Sequence, residues 1–386
     1  MNWQTARFED CIEKITYTPK IQRNAFLSHG RYPVVSQEES YINGFWDNEA
    51  DLFRVTTPVV VFGDHTKVLK YVDFDFVLGA DGVKILQPRK FLLPKFFYYQ
   101  LQTANLDSLG YARHYRLLKN LAVTYPSPPE QQRIVAILDE AFAGIATAKA
   151  NAEKNLQNAR GIFESRLQSI FSLRGDGWVD TTIGDKVRFI DYRGKTPIKT
   201  QSGIRLITAK NVKMGHLQES PMEFIAASNY KTWMTRGIPR KGDVVFTTEA
   251  PLANVAQLDT AEKVAFAQRI IVMQTEATEL DSSFLKYLLM SQPVQHRIRT
   301  KGTGATVQGI KASLLKTIAI SYPQSLTEQR ALVSELDELS RDTQHLAGIY
   351  ERKLAALDAL KKSLLHHAFA GELTASKPAK LVEAVA

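Results

Sequence analysis

A phosphate-binding loop needs glycines that let backbone amides approach oxygen atoms, followed at fixed spacing by a lysine. Gly304-Ala305-Thr306-Val307-Gln308-Gly309 begins that way, but Ile310 stands where the lysine is needed and Lys311 comes one place late. A metal-dependent nuclease usually places an acidic residue two positions before a lysine. The candidate triplet Glu351-Arg352-Lys353 falls in a helical stretch, where it reads as a solvated face. His366 and His367 are adjacent, so on a helix they point in different directions and make a poor metal pair. No Asn-Pro-Pro-aromatic or Asp-Pro-Pro-Tyr run is present to orient an exocyclic amine for methylation. No catalytic set and no resident cofactor or metal is expected.

The chemistry that remains is recognition. Lys and Arg suit phosphates; Arg, Lys, Asn, Gln, Ser and Thr suit base edges. Aromatic and basic residues interleave in Gly110-Tyr111-Ala112-Arg113-His114-Tyr115-Arg116, ahead of Lys119. His65 and Lys67 lie in a loop that follows a strongly apolar strand, a common place for binding groups. In the second half of the chain, Lys301, Thr303, Thr306, Gln308 and Lys311 share one glycine-rich loop. Glycines there let backbone amides approach a phosphate, while Thr and Gln reach base edges. Arg193 and Lys195, and then Asn211 and Lys213, are further candidates. The plainer alternative for each cluster is a solvated loop whose tyrosines pack inward.

The elements that must position these loops show themselves as a repeat. Tyr125-Pro126, then Glu130-Gln131-Gln132-Arg133, then Ile137-Leu138-Asp139-Glu140 recur as Tyr322-Pro323, Glu328-Gln329-Arg330 and Glu335-Leu336-Asp337-Glu338. Matching Arg133 with Arg330 puts one extra residue between Arg330 and Leu336. Upstream, Leu117-Leu118-Lys119 matches Leu314-Leu315-Lys316, and each is read as strand. Ser169-Ile170-Phe171 parallels His367-Ala368-Phe369, and Trp3 parallels Trp178. The Arg113 cluster and the Lys301–Lys311 loop occupy the same place, just before the Leu-Leu-Lys segment, with different residues.

From Ile134 to Ile170, and from Leu332 to Leu364, apolar residues recur at steps of three and four, close to a heptad seam, and proline is absent. Each helix covers about 40 residues, roughly 60 Å. Pro129 is expected in a first turn and Thr327 as an N-cap. The first helix should end before Gly175 and the second before Gly371. Two matched stripes are natural partners for each other, in an antiparallel pair with pseudo-twofold, circular organisation. Phe369 would then arrive where Trp3 begins, as Phe171 leads into Trp178. The expected layout is a recognition domain at 1–128, a long helix at 129–173, a second domain at 174–326, a second helix at 327–373 and a disordered tail at 374–386.

The globular segments read as mixed α/β. Candidate strands are Pro58–Phe62, Phe76–Leu78, Val83–Leu86, Gly203–Thr208, Asp243–Thr247 and Arg269–Met273. Short amphipathic helices are expected at Pro94–Gln102 and Asp281–Met290. The length of 386 residues suits two domains, and 44% hydrophobic with 23% charged residues describes a globular chain. A formal charge of +9, from 49 Lys+Arg against 40 Asp+Glu, favours an acidic partner without requiring one. A lone cysteine, Cys11, excludes an internal disulfide and a thiolate zinc cluster. The first residues show no secretory pattern and no apolar run approaches the ~18 residues of a membrane span, so a cytoplasmic protein is expected.

With these residues in view, the chain resembles the specificity subunit of type I restriction–modification systems. The resemblance rests on the paired Pro…Glu-Gln-(Gln)-Arg helix starts at 126–133 and 323–330, the openings at Trp3 and Trp178, the Leu-Leu-Lys segments, and Ala-Phe-Ala-Gly-Glu-Leu at 368–373. It implies two target-recognition domains, each reading half of a split double-stranded DNA site across an unspecified spacer; a further hypothesis is that helix length sets that gap. It also implies two modification subunits carrying S-adenosylmethionine, and restriction subunits using ATP and Mg, docked on a chain that is not itself an enzyme. Base-contacting residues do not carry over, because the loops differ between members. The alternatives are a protein-only scaffold, whose binding would lack the steep salt dependence of phosphate contacts, and a stand-alone nuclease or methyltransferase.

Overall fold

The computed structural model describes residues 3–106, 110, 112–192, 196–304 and 308–374. Tyr111, Arg193, Lys195, Thr306 and the expected tail from 375 onward lie outside the described residues. The chain divides into two compact units, one formed by Met1–Glu153 with Glu351–Ala386 and the other by Lys154–Tyr350. Each unit therefore holds one globular domain and a stretch of both long helices.

In the first unit, the run Val59–Phe62 is wholly apolar and almost fully buried, as the central strand of a sheet demands. Strand Val59–Gly63 pairs antiparallel with Leu69–Val72 on one side and Val83–Leu86 on the other. A second, mixed sheet runs in the order Lys20–Ile21, Phe76–Gly79, Tyr32–Val35, Gly44–Trp46, with Leu52–Phe53 also pairing Phe76–Gly79. In the second unit, Val244–Thr247 takes the central place between Val255–Gln257 and Ile270–Thr275, and Val187–Asp191 extends the sheet beyond Ile270–Thr275. A second sheet joins Lys199–Thr200, Glu223–Ile225, Ile204–Ile207 and Val264–Phe266. The fold class is mixed α/β, as the sequence indicates, and each expected strand and short helix forms to within two residues at either end.

The two copies of the Leu-Leu-Lys segment are not strand. Tyr115–Leu118 and Ala312–Lys316 are short helices that bury Leu118 and Leu315, and the strands follow at Ala122–Tyr125 and Ala319–Pro323. Those strands pair antiparallel with the openings of the domains, Gln4–Arg7 and Trp178–Thr182. The second domain also carries a helix, Gln292–Lys301, without a described counterpart in the first.

The long helices span Pro128–Ser172 and Leu326–Phe369. The second starts one residue before Thr327, which is thus not its cap. The Ser325 hydroxyl accepts from the Glu328 amide at 3.4 Å, which puts the N-cap two residues earlier. Within the first unit the helices are antiparallel: Lys149 reaches Asp358 at 2.7 Å and Lys361 lies over the Phe142 ring. Within the second, the Arg166 guanidinium donates to Glu335 at 3.0 Å.

The repeated helix start has a physical purpose. Gln131 is fully buried; its Oε1 accepts from the Leu93 amide at 2.7 Å, and its Nε2 donates to Phe91 O and Pro126 O. Gln329, equally buried, accepts from the Asp281 amide at 2.8 Å and donates to Glu279 O and Pro323 O. Leu93 and Asp281 are the N-caps of Pro94–Thr103 and Ser282–Met290, so one glutamine staples the long helix to the short helix in each domain. About two turns further along each long helix, Tyr99 donates to Asp139 and Tyr287 to Asp337, with Lys95 and Lys286 beside the same carboxylates. Burial first, then the carboxylate, pushes both phenols well above their ordinary pKa. Gln131 to Asp139 and Gln329 to Asp337 are the same eight-residue step, so the extra residue lies in the turn after Pro323, not between Arg330 and Leu336.

The circular expectation holds locally. Phe369 packs on Phe96 at 5.1 Å between ring centroids, and Phe96 on Trp3 at 6.1 Å. Phe171, Phe284 and Trp178 repeat that cluster at 5.4 and 6.1 Å.

Candidate nucleic-acid interface

Three loops meet at one end of the central strand in each domain. In the first, the turn Gly63–Lys67 closes the hairpin, with Lys67 in the left-handed region at φ 62°. The Asp64 amide donates to Gly82 O at 2.7 Å, and the His114 amide donates to Asp64 O at 2.7 Å. The Asp64 carboxylate accepts from the Tyr115 amide at 2.7 Å, and both Asp64 and His114 are 1% exposed. The hairpin turn, the Gly82 loop and the Arg113 loop thus form one platform.

The second domain repeats those backbone bonds with other residues. The Thr248 amide donates to Arg269 O at 2.9 Å, and the Ile310 amide donates to Thr248 O at 2.9 Å. Thr303 and Gly309 exchange backbone bonds at 2.8 and 2.9 Å, which shapes the glycine-rich loop. Asp64 corresponds to Thr248, Gly82 to Arg269, and His114 to Ile310. Gly82 and Arg269 both precede the strand that flanks the central one, at φ 69° and 79°. A left-handed backbone costs an arginine roughly 1–2 kcal/mol, and glycine almost nothing. Arg269 Nε meets Glu249 at 2.9 Å. An exposed pair of that kind returns about 0–1 kcal/mol.

The expected recognition residues divide. Arg113, Arg116 and Lys119 are exposed on the first platform, with Tyr115, His65 and Lys67 half-buried. Lys119 pairs with Glu9 at 2.9 Å and lies over the Tyr115 ring, which holds the Glu9 carboxyl below its ordinary pKa. Sequence reasoning missed Lys84, which lies over the same ring, and Lys20, whose Nζ donates to Val83 O at 2.9 Å. Burial, then the charge of Lys84, lowers the pKa of Lys20. Lys20 and Lys84 belong to strands of different sheets, and it is the side-chain bond from Lys20 to Val83 O, a tertiary contact, that links those strands.

His114 does not face outward; its Nδ1 lies 3.0 Å from Asp64 O. Asn211 is likewise spent inside the protein. It accepts from the Thr208 amide and hydroxyl and donates to Gln218 O, Glu219 O and Pro221 O, at 1% exposure. Lys213 lies on the same turn, half-buried. On the second platform Thr303, Gln308 and Lys311 are exposed. Gln308 Nε2 donates to Arg299 O at 3.1 Å, and Lys301 Nζ binds Thr317. Glu249, Gln268 and Arg269 complete the platform and were not singled out by sequence, because the hairpin turn and the strand entry are remote from the glycine-rich loop along the chain.

A cleft of about 1080 Å³ in the second unit runs beside the long helices, lined among others by Arg160, Phe163, Tyr287, His296, Arg299 and Arg341. Among the described residues no group of His, Cys, Asp and Glu could hold a metal ion, and no helix is long and apolar enough to cross a membrane.

Comparison with known proteins agrees with this layout. Residues 1–157 and 177–352 each match the type I restriction modification DNA specificity domain. The chain is similar to the EcoR124I/EcoR124II specificity subunit of Escherichia coli, 25% identical over 338 residues, covering 79% of this chain and 78% of that protein. It is also similar to the MjaVIII specificity subunit of Methanocaldococcus jannaschii, 21% identical, covering 96% and 93%. Among solved structures, a chain from a study of complex assembly and conformational transition of the type I R-M system shares the fold at TM-score 0.71 and 16% identity, covering 96% of this chain and 98% of that one. The HsdS subunit from Thermoanaerobacter tengcongensis follows at TM-score 0.54 and 16% identity, covering 96% and 97%. With the family matched once on each domain, the chain belongs to the type I restriction–modification specificity subunits, which direct DNA specificity and are not themselves catalytic.

Proposed function

We propose that this chain reads a two-part DNA site, one part per domain, and holds the modification and restriction subunits that act there. The observation that carries the reading is the pair of matched platforms. The same backbone bonds support Lys67, Arg113 and Arg116 in one domain, and Arg269, Thr303 and Gln308 in the other. A shared scaffold with unlike side chains is what two readers of different sequences require.

The long helices are where the other subunits dock. Their seam is only partly covered: Leu339, Leu346, Leu354, Leu357 and Leu360 stay half-buried. S-adenosylmethionine, ATP and Mg belong on those partner subunits, and this chain supplies the address and the assembly. The test is single-molecule sequencing of methylated adenine in cells carrying the complete system. The expected result is one motif of two fixed parts across an unspecified gap of constant length. A single contiguous motif, or methylation without sequence preference, would refute the reading.

A further inference from the structure

We infer that Arg269 is a specificity-determining residue of the second domain, reading a guanine edge in its half of the site, with Glu249 as the residue that positions it. The inference rests on the DNA-reading function proposed above. Arg269 stands where the first platform has Gly82; each gives its carbonyl to the first amide beyond the central strand. Both backbones are left-handed. At Gly82 an added Cβ would lie 2.5 Å from Gln37 Oε1 and 2.9 Å from His65 Cδ2, so a side chain there would have to displace both neighbours. The second domain puts a long cation at the same point and leaves it exposed. The backbone bond to Thr248 does not need that side chain, and glycine would make it without strain.

What the side chain reaches is the surface of the platform. Glu249, in the hairpin turn beside left-handed Ala250 at φ 45°, engages Arg269 through Nε at 2.9 Å. Gln268, the next residue back, accepts from the Thr196 hydroxyl at 2.9 Å, which fixes its side chain. A guanidinium is a planar fork of donors that fits the N7 and O6 acceptors of guanine. A carboxylate that holds the fork before DNA arrives lowers the rotamer entropy lost on binding. A lysine would bring the charge without the fork.

The experiment uses the full chain produced with its own modification and restriction subunits, with methylated adenines mapped for wild type, Arg269→Gly, Arg269→Lys and Glu249→Gln. Arg269→Gly should keep or slightly raise the melting temperature, because glycine relieves the left-handed backbone. It should leave one part of the motif unchanged, and in the other part lower the preference for guanine at one position by about 10- to 100-fold. Arg269→Lys should fall between wild type and glycine, and Glu249→Gln should weaken the same position and no other. A motif unchanged in Arg269→Gly, set against a two-part wild-type motif, overturns this inference alone. So does a uniform loss across all positions with a shallower salt dependence, which marks a phosphate contact. A wild-type complex without a two-part motif fails the DNA-reading proposal, and this inference with it.

Discussion

The helix starts and the loop platforms both occur twice, but they repeat in different ways. At the helix starts the side chains themselves recur: Gln131 and Gln329 make the same three bonds, and Tyr99–Asp139 and Tyr287–Asp337 the same lock. At the platforms only backbone bonds recur, while Asp64, Gly82 and His114 are exchanged for Thr248, Arg269 and Ile310. Where the side chain itself recurs, the glutamine or the phenol is buried and hydrogen-bonded. Where it is free to differ, the main chain carries the shared bonds; Asp64, His114, Thr248 and Ile310 are buried beneath them, and the exposed side chains around them, Arg113 and Arg269 among them, are left for a partner.

That contrast can be broken first at the glutamines. Gln131→Leu or Gln329→Leu strands an amide and two carbonyls in a buried place, each group costing about 1–3 kcal/mol. A loss of about 3 kcal/mol or more is expected in denaturant unfolding of either variant, alike in size. A loss in one variant only would mean the two starts are not equivalent.

Next in size are the phenols. Tyr99→Phe and Tyr287→Phe remove a hydrogen bond to a charged carboxylate, worth about 1.5–3 kcal/mol. Matched losses in thermal unfolding are expected, with the recognition motif unchanged. Asp64→Ala is expected to cost about 1–2 kcal/mol by leaving the Tyr115 amide without its acceptor. Unlike the phenol variants, it should blur one part of the methylation motif and spare the other. The smallest effect belongs to the exposed pairs between the long helices. Lys149→Ala or Arg166→Ala should cost under ~1 kcal/mol and less at high salt, and a larger loss would show that the pairs do more than decorate the seam.

The scaffold was legible because it rests on local patterns. Apolar steps of three and four mark the long helices, Val59–Phe62 is a strand of almost unbroken burial, and Asp281 is a residue that caps. Even the sharing of a motif by two distant segments was open to reading. The errors arose where one signal stood for two structures. Leu-Leu followed by β-branched residues reads as strand throughout, but the leucines close a helical turn before the strand begins. Thr327 looks like a cap, yet Ser325 is the residue whose hydroxyl meets the first-turn amide.

The platforms were half legible. The Arg113 and Lys301–Lys311 loops announce themselves by glycines and cations. That His114 and Asn211 turn inward, and that Arg269 shares a surface with the glycine-rich loop, depends on pairings between segments far apart in sequence. No composition or spacing encodes these.

The most direct test of the central claim is to exchange the side chains of one platform and read the DNA. With Thr303 and Gln308 replaced by alanine in the complete system, mapped adenine methylation should keep one part of the motif and the gap intact while the other part changes or loosens. If both parts shift together, or neither moves although the complex still methylates, the two domains do not read separately and the account is wrong.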